Sequence, residues 1–438
     1  MSERQKRDKR LLIQNGFMID PGSGRAQHLD ILVQDGRILR MGDRHTWEDL
    51  QADREMQVFD AAGLTVAPGL VDVHVHFRDP GFLYKEDIES GSRAAAKGGF
   101  TTVVLMANTR PAVDNAQILA YVLQKGRETG IRVESCCAVT RGQQGRELTD
   151  MEELLAAGAA GFTDDGIPLL EEDVARRAMQ EAARLGTVLS FHEEDPAYIV
   201  NPGIHAGAAS AHYGIGGASR QAEITMVERD IRLAGETGAT ILIQHISTRE
   251  AVELVRRGKR QGIRVYAEAT PHHIALNENA AIRYGTLAKM NPPVREEADR
   301  LAIIEGLQDG TIDLIATDHA PHSREEKAKP ITEAPSGIIG LETALALGIT
   351  YLVEPGYLTL MSLLEKMTYN PAGLYGLEQG CLREGGWADM VLFDPSEHFR
   401  VDGFVSRSCN SPFLGMELTG KVKGTVCGGR LVYQEQAK

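Results

Sequence analysis

Val71-Asp72-Val73-His74-Val75-His76-Phe77-Arg78 closes an apolar run with two histidines and an arginine at alternate positions. Strand side chains repeat with a period of two, so His74, His76 and Arg78 are predicted to point the same way. Arg78-Asp79-Pro80-Gly81 supplies the turn that ends the strand. Two imidazoles converging at a strand end suit a divalent transition metal. An arginine one step further can hold a carboxylate through paired hydrogen bonds. The stretch therefore predicts a metal site with an anion receptor beside it. The alternative is an ordinary strand end with solvated histidines, and the rest of the chain decides between them.

Beyond this stretch, short apolar strands alternate with helical patterns. Strands are predicted over 70–76, 101–106, 132–139, 161–164, 187–191, 240–244, 264–269 and 312–316. Helices are predicted between them, over 88–97, 116–129, 151–157, 171–185, 221–237, 249–261 and 300–307. Eight such units across about 250 residues predict an α/β protein built on a (β/α)8 barrel of the TIM type. A doubly wound open sheet would need a glycine-rich phosphate loop at an early strand end, and the sequence has none.

The two ends of the chain read differently. Leu11-Leu12-Ile13 precedes Asn15-Gly16, a hairpin signal, and Ile31-Leu32-Val33 precedes Asp35-Gly36 and Arg37-Ile38-Leu39. Near the other end, Asp389 to Phe393 reads as a strand stopped by Asp394-Pro395, and Val422 to Tyr433 as a hairpin about Gly428-Gly429. These ends are expected to pair into one small composite β-sandwich. The expected division is 1–67 for its N-terminal part, 68–378 for the barrel and 379–438 for its C-terminal part.

Composition narrows the class. The 438 residues are 42% hydrophobic and 25% charged, ordinary for a globular protein. A net charge of −14 without a basic tract argues against nucleic-acid binding. Cys136, Cys137, Cys381, Cys409 and Cys427 are odd in number and form no CxxC, which predicts reduced thiols in a cytoplasmic protein. Met1 to Arg10 is charged and lacks the apolar core of a secretory signal, and no apolar run is long enough to span a membrane.

In a (β/α)8 enzyme the active site lies at the C-terminal ends of the strands. Those ends carry His74, His76 and Arg78; Asn108; Asp164-Asp165-Gly166; His192-Glu193-Glu194; His245; His272-His273, with Asn291 beyond; and Asp318-His319, with His322 just after. A single such histidine would be read as structural, but so many at successive strand ends point to a site. His74, His76 and Asp318 can hold one ion and His192 and His245 a second, bridged by a carboxylate from the fourth strand. Two ions about 3.5–4 Å apart can share a hydroxide at neutral pH. Asp318 is placed to take its proton and pass it to a leaving group. Nitrogen and oxygen ligands together with hydrolysis favour zinc.

The HxHxR strand, Thr163-Asp164-Asp165-Gly166, the isolated His192 and His245, Lys289-Met290-Asn291-Pro292-Pro293 and Ala316-Thr317-Asp318-His319-Ala320-Pro321-His322 resemble class I, bacterial-type dihydroorotases of the amidohydrolase superfamily. The resemblance covers nearly the whole chain. It implies reversible cyclisation of N-carbamoyl-L-aspartate to (S)-dihydroorotate in pyrimidine synthesis, with one or two zinc ions per chain. Carried over by position, the metal ligands are His74, His76, Asp165, His192, His245 and Asp318, and Asp318 is the general acid and base. Asp165 is preferred to Asp164 by its spacing to His192 and His245. The implied substrate contacts are His76, Arg78, Asn108, Asn291, His322 and the backbone at Ser336-Gly337. The implied step is attack of a metal-bound hydroxide on the ring amide carbonyl. A homodimer is expected, and a complex with aspartate transcarbamoylase is the further partner to consider.

Two segments depart from the family pattern. Met106-Ala107-Asn108-Thr109 lacks the family's proline, and Pro335-Ser336-Gly337 stands where the family often has Pro-Phe-Gly. Asp164, Glu193 and Glu194 are expected behind the site or in solvent. His272 and His273 are expected to pack behind the site, and His205 and His212 to be structural. The polar stretch 320–337 is long for a barrel loop and is expected to cover the substrate. Two other readings compete: an allantoinase or hydantoinase, whose strand-four bridge is typically a lysine, and a metal-free scaffold for a transcarbamoylase, which would have lost its histidines.

Overall fold

The computed structural model describes residues 10–43 and 56–436, so nearly all of the N-terminal stretch 1–10 lies outside the described residues. The N-terminal strands are β1 (Arg10–Asp20), β2 (Arg25–Gln34), β3 (Arg37–Gly42), β4 (Gln57–Asp60) and β5 (Thr65–Pro68). The barrel follows with β6 (Leu70–Val75), β7 (Phe100–Leu105), β8 (Arg132–Cys137), β9 (Gly161–Thr163), β10 (Val188–Phe191), β11 (Thr240–Ile243), β12 (Val265–Ala269) and β13 (Leu314–Ile315). The chain ends in β14 (Met390–Arg400), β15 (Glu417–Cys427) and β16 (Arg430–Gln434).

Strands β6 to β13 pair in sequence order, in parallel, with helices between them. The predicted strand positions agree with these to within three residues at either end. The seam between first and last strand is closed where Val75 bridges His319 and the His76 amide donates to the His319 carbonyl at 2.9 Å. Asp72 reinforces it by accepting from the Thr317 amide at 3.2 Å. Val71, Val73, Val104, Met106, Cys136, Leu242 and Leu314 form one buried cluster with Ala372 and Tyr375. A larger cluster joins Val103, Val133, Leu189 and Ile241 to helix residues such as Leu119, Ala178, Val227 and Val252, sealing strands to helices.

The two chain ends share a second sheet of eight strands, joined where β14 runs antiparallel to β5, Val391 opposite Ala67. The sheet curls, so that the Asp35-Gly36 turn meets Gly428, and its inner face buries Leu11, Ile31, Ile38, Met390 and Val426. Asn15-Gly16 is not a hairpin. It is a bulge inside β1, with Asn15 at φ 64° and its amide held by Asp30. The same left-handed preference that serves a tight turn serves a bulge. Asp394-Pro395 likewise bends β14 rather than ending it. The register shifts between Asp394 and His398, where a proline without an N–H can be accommodated. Among the described residues no helix is long and apolar enough to cross a membrane.

Candidate metal centre and active site

His74 lies near the end of β6, buried, with its two ring nitrogens in different environments. Nδ1 stands 2.5 Å from Glu268 Oε1 on β12. Among the described residues Nε2 has no hydrogen-bond partner, and it stands 3.5 Å from Asp165 Oδ1 and 3.6 Å from Asp318 Oδ1. His76, just past the strand, places Nδ1 2.9 Å from Asn108 Oδ1 and Nε2 3.0 Å from Asp318 Oδ1. His192 Nε2 faces Glu194 at 3.0 Å, while Nδ1 meets His245 Nε2 at 2.9 Å. Three imidazoles are thus tied from behind by an acceptor, an arrangement that orients the other ring nitrogen towards a metal ion when one is bound.

Asp165 is the meeting point. Its Oδ1 is 3.5 Å from His74, 3.6 Å from His192 and 3.7 Å from His245, and its Oδ2 is 3.4 Å from His76. Asp164 turns away to accept from the Val139 and Thr140 amides at 2.8 and 3.2 Å. Two overlapping groups have the compactness to hold a metal ion: His74, His76 and Asp318, and His74, Asp165 and His245. The site favours positive charge. Burial opposes a charged His74, yet Glu268 and Asp165 overcome it and hold its pKa well above the ordinary imidazole range. The histidines in turn outweigh burial at Asp165 and hold it well below the carboxylate range. A buried, acidic, imidazole-rich cluster with an orphaned His74 Nε2 fits a divalent cation.

Strain collects here. Arg78, His245 and Asp318 have φ of 60°, 34° and 47°, half of the left-handed non-glycine residues described. Such conformations persist where their surroundings enforce them, and they cluster at functional sites. They also correct the strand reading. The β6–β7 register shifts between Asp72 and Val75, and the strand stops at Val75. Alternation therefore does not orient Arg78. Its left-handed backbone does, with Nε donating to the Pro321 carbonyl at 3.3 Å. Burial lowers the Arg78 pKa, and the charges of Asp318 and Asp165 oppose that shift.

Asn108 is committed to the cluster: besides facing His76, its Nδ2 donates to Asp165 Oδ2 at 3.2 Å. His322 gives Nε2–H to the Ser336 carbonyl at 2.8 Å and receives Lys85 at Nδ1 at 3.3 Å. Asn291 is half-buried with its Oδ1 unpartnered, beside Ser336 across Gly203. Glu193 and Glu194 are buried rather than solvated, because Glu194 backs His192 and Glu193 lies against Asp230. His273 bridges Thr270 and the Pro292 carbonyl, whereas His272 Nε2 lacks a partner and lies in the field of Asp318. His205 pairs with Arg295. Glu268 was missed in the sequence; its one signal is a carboxylate inside the otherwise apolar strand 265–269.

Residues 65–432 match the amidohydrolase family. The chain belongs to that family. This amidohydrolase is 52% identical to the dihydroorotase of Clostridioides difficile (strain 630), over 97% of this chain and 99% of the relative. It is 49% identical to that of Streptococcus pneumoniae serotype 4, over 97% and 100%. Among solved structures, the L-hydantoinase from Arthrobacter aurescens superposes with a TM-score of 0.85 at 26% identity, covering 97% and 96% of the two chains. A D-hydantoinase from Thermus sp. shares the fold, with a TM-score of 0.83 at 24% identity. The amidohydrolase barrel thus carries a hydrolase site for cyclic amides.

Proposed function

We propose that this amidohydrolase is a zinc-dependent dihydroorotase, interconverting N-carbamoyl-L-aspartate and (S)-dihydroorotate. The observation that carries the reading is Asp165 within 3.4–3.7 Å of four histidine nitrogens. The near-full-length identity to dihydroorotases supports it. His74, His76 and Asp318 would hold one zinc, His192 and His245 a second, and Asp165 would lie between the two. When bound, zinc polarises the ring amide carbonyl and makes water nucleophilic at neutral pH.

The protein's own residues do the rest. Asp318, whose Oδ1 is 3.0 Å from His76 Nε2, would take a proton from the attacking water and return it to the departing ring nitrogen. Arg78 meets the substrate carboxylate, the local positive charge an acidic chain otherwise lacks. Asn108 holds His76 and Asp165 in register while bordering the substrate. Asn291 and the Ser336-Gly337 backbone close the ring side. A carboxylate at the end of the fourth strand, in place of an amine, separates this reading from a hydantoinase.

The division at 67/68 and 378/379, a cytoplasmic homodimer, and association with aspartate transcarbamoylase belong to the same proposal. The test is metal analysis with turnover measured in both directions. One to two zinc per chain with activity on both substrates is expected; a folded, active, metal-free protein would contradict it.

A further inference from the structure

Two buried lysines stand on the substrate side of this site. Lys289 is 2% exposed and Lys327 5% exposed, and among the described residues neither makes an ion pair. A buried ammonium without a counter-charge is costly unless every N–H finds an acceptor. Here the acceptors are all main-chain carbonyls. Lys289 Nζ donates to Ile331 and Ala334, each at 2.7 Å. Lys327 Nζ donates to Pro335 at 2.9 Å, Gly337 at 3.0 Å and Lys289 at 3.3 Å. Most of these carbonyls belong to 331–337, an irregular stretch with no helix or strand to satisfy them.

That stretch carries the Ser336-Gly337 backbone. The Gly337 amide donates to the Lys289 carbonyl at 2.9 Å, and Ser336 accepts from His322. Gly337, at φ +127°, lies so close to His322 that an added Cβ would stand 3.1 Å from its Nε2. A Cβ on Gly203 would collide with Ser336 Oγ and stand 2.8 Å from Lys289 Cγ and 3.1 Å from Asn291 Oδ1. The lysines, residues 331–337 and the proposed substrate contacts therefore form one packed unit. Burial lowers the His322 pKa, and Arg78, Lys85 and Lys327 lower it further, keeping that ring neutral.

We infer that Lys289 and Lys327 are positioning residues for substrate binding. They clamp 331–337 by its carbonyls and hold the Ser336-Gly337 backbone against His322. A space-filling role would be met by methionine, which has neither donors nor charge. The inference rests on the dihydroorotase reading for the identity of the anion, but not for the clamp itself.

The test uses the full-length, zinc-loaded protein with Lys289→Met and Lys327→Met. The KM for dihydroorotate should rise tenfold or more, with kcat changed less than threefold. Hydrogen exchange over 331–338 should quicken while the barrel strands keep their protection. If a methionine variant does not fold, Lys289→Gln and Lys327→Gln, which keep N–H donors but lose the charge, replace it. They should raise KM with a smaller gain in exchange. A KM within twofold of the unmodified protein, or unchanged exchange over 331–338, would overturn the inference. Absence of dihydroorotate turnover in the unmodified protein would instead remove the proposed substrate, and exchange alone would then decide the clamp.

Discussion

Glu268 sits directly behind His74, its Oε1 2.5 Å from the imidazole Nδ1, and also accepts from the His245 amide at 3.2 Å. One carboxylate from β12 thus orients a histidine from β6 and fixes the backbone of a left-handed histidine after β11. Acceptors behind metal-binding histidines typically contribute 10–100-fold in metal affinity. Glu268→Ala should weaken zinc binding by about that factor, read by competition with a chromogenic chelator. Affinity within twofold of the unmodified protein would remove Glu268 from this role.

Asp318→Asn keeps the shape of the side chain but removes its ability to take a proton. Turnover of dihydroorotate should fall by about 10²- to 10⁴-fold, with the circular dichroism spectrum unchanged. Turnover close to normal would show that the proton travels by another group.

Arg78→Met removes the guanidinium proposed to meet the substrate carboxylate. A hydrogen bond to a charged group contributes about 1.5–3 kcal/mol, so the KM for dihydroorotate should rise roughly 10- to 100-fold. Because the Nε bond to the Pro321 carbonyl is long and single, the unfolding temperature should change little.

Lys327 gives a pH signature. Burial, then the nearby charge of Lys289, depress its pKa to about 7 from 10.5, and Glu326 opposes them. Below pH 7 the native state carries this ammonium at full cost. From pH 7 towards 10.5 the native state releases the proton while the unfolded chain keeps it, so this destabilisation shrinks as pH rises. Relative to Lys327→Met, the unmodified protein should therefore gain unfolding stability between pH 7 and 9. A constant difference between the two across that range would contradict the sign.

Much of this was legible in the primary structure, for identifiable reasons. The eight barrel strands are apolar runs between helical periodicities, and burial on both faces keeps them apolar. His74, His192, His245 and Asp318 were readable because a histidine or aspartate at the end of such a run points into the barrel mouth. Alternation does not orient Arg78, since a shifted register and a left-handed φ of 60° replace it. Asn15-Gly16 and Asp394-Pro395 carry real local signals, but bulges and turns share them. Lys289 stood in a quoted motif and Lys327 in a polar stretch, but neither showed its burial or its role, because their partners are carbonyls, which no side-chain pattern reports.

The central claim is that the two-centre cluster and Arg78 serve a small cyclic amide bearing a carboxylate. The most direct measurement compares kcat/KM of the zinc-loaded protein for dihydroorotate, hydantoin and allantoin side by side. Dihydroorotate should be the best substrate by at least tenfold. A higher kcat/KM for hydantoin or allantoin would contradict the claim.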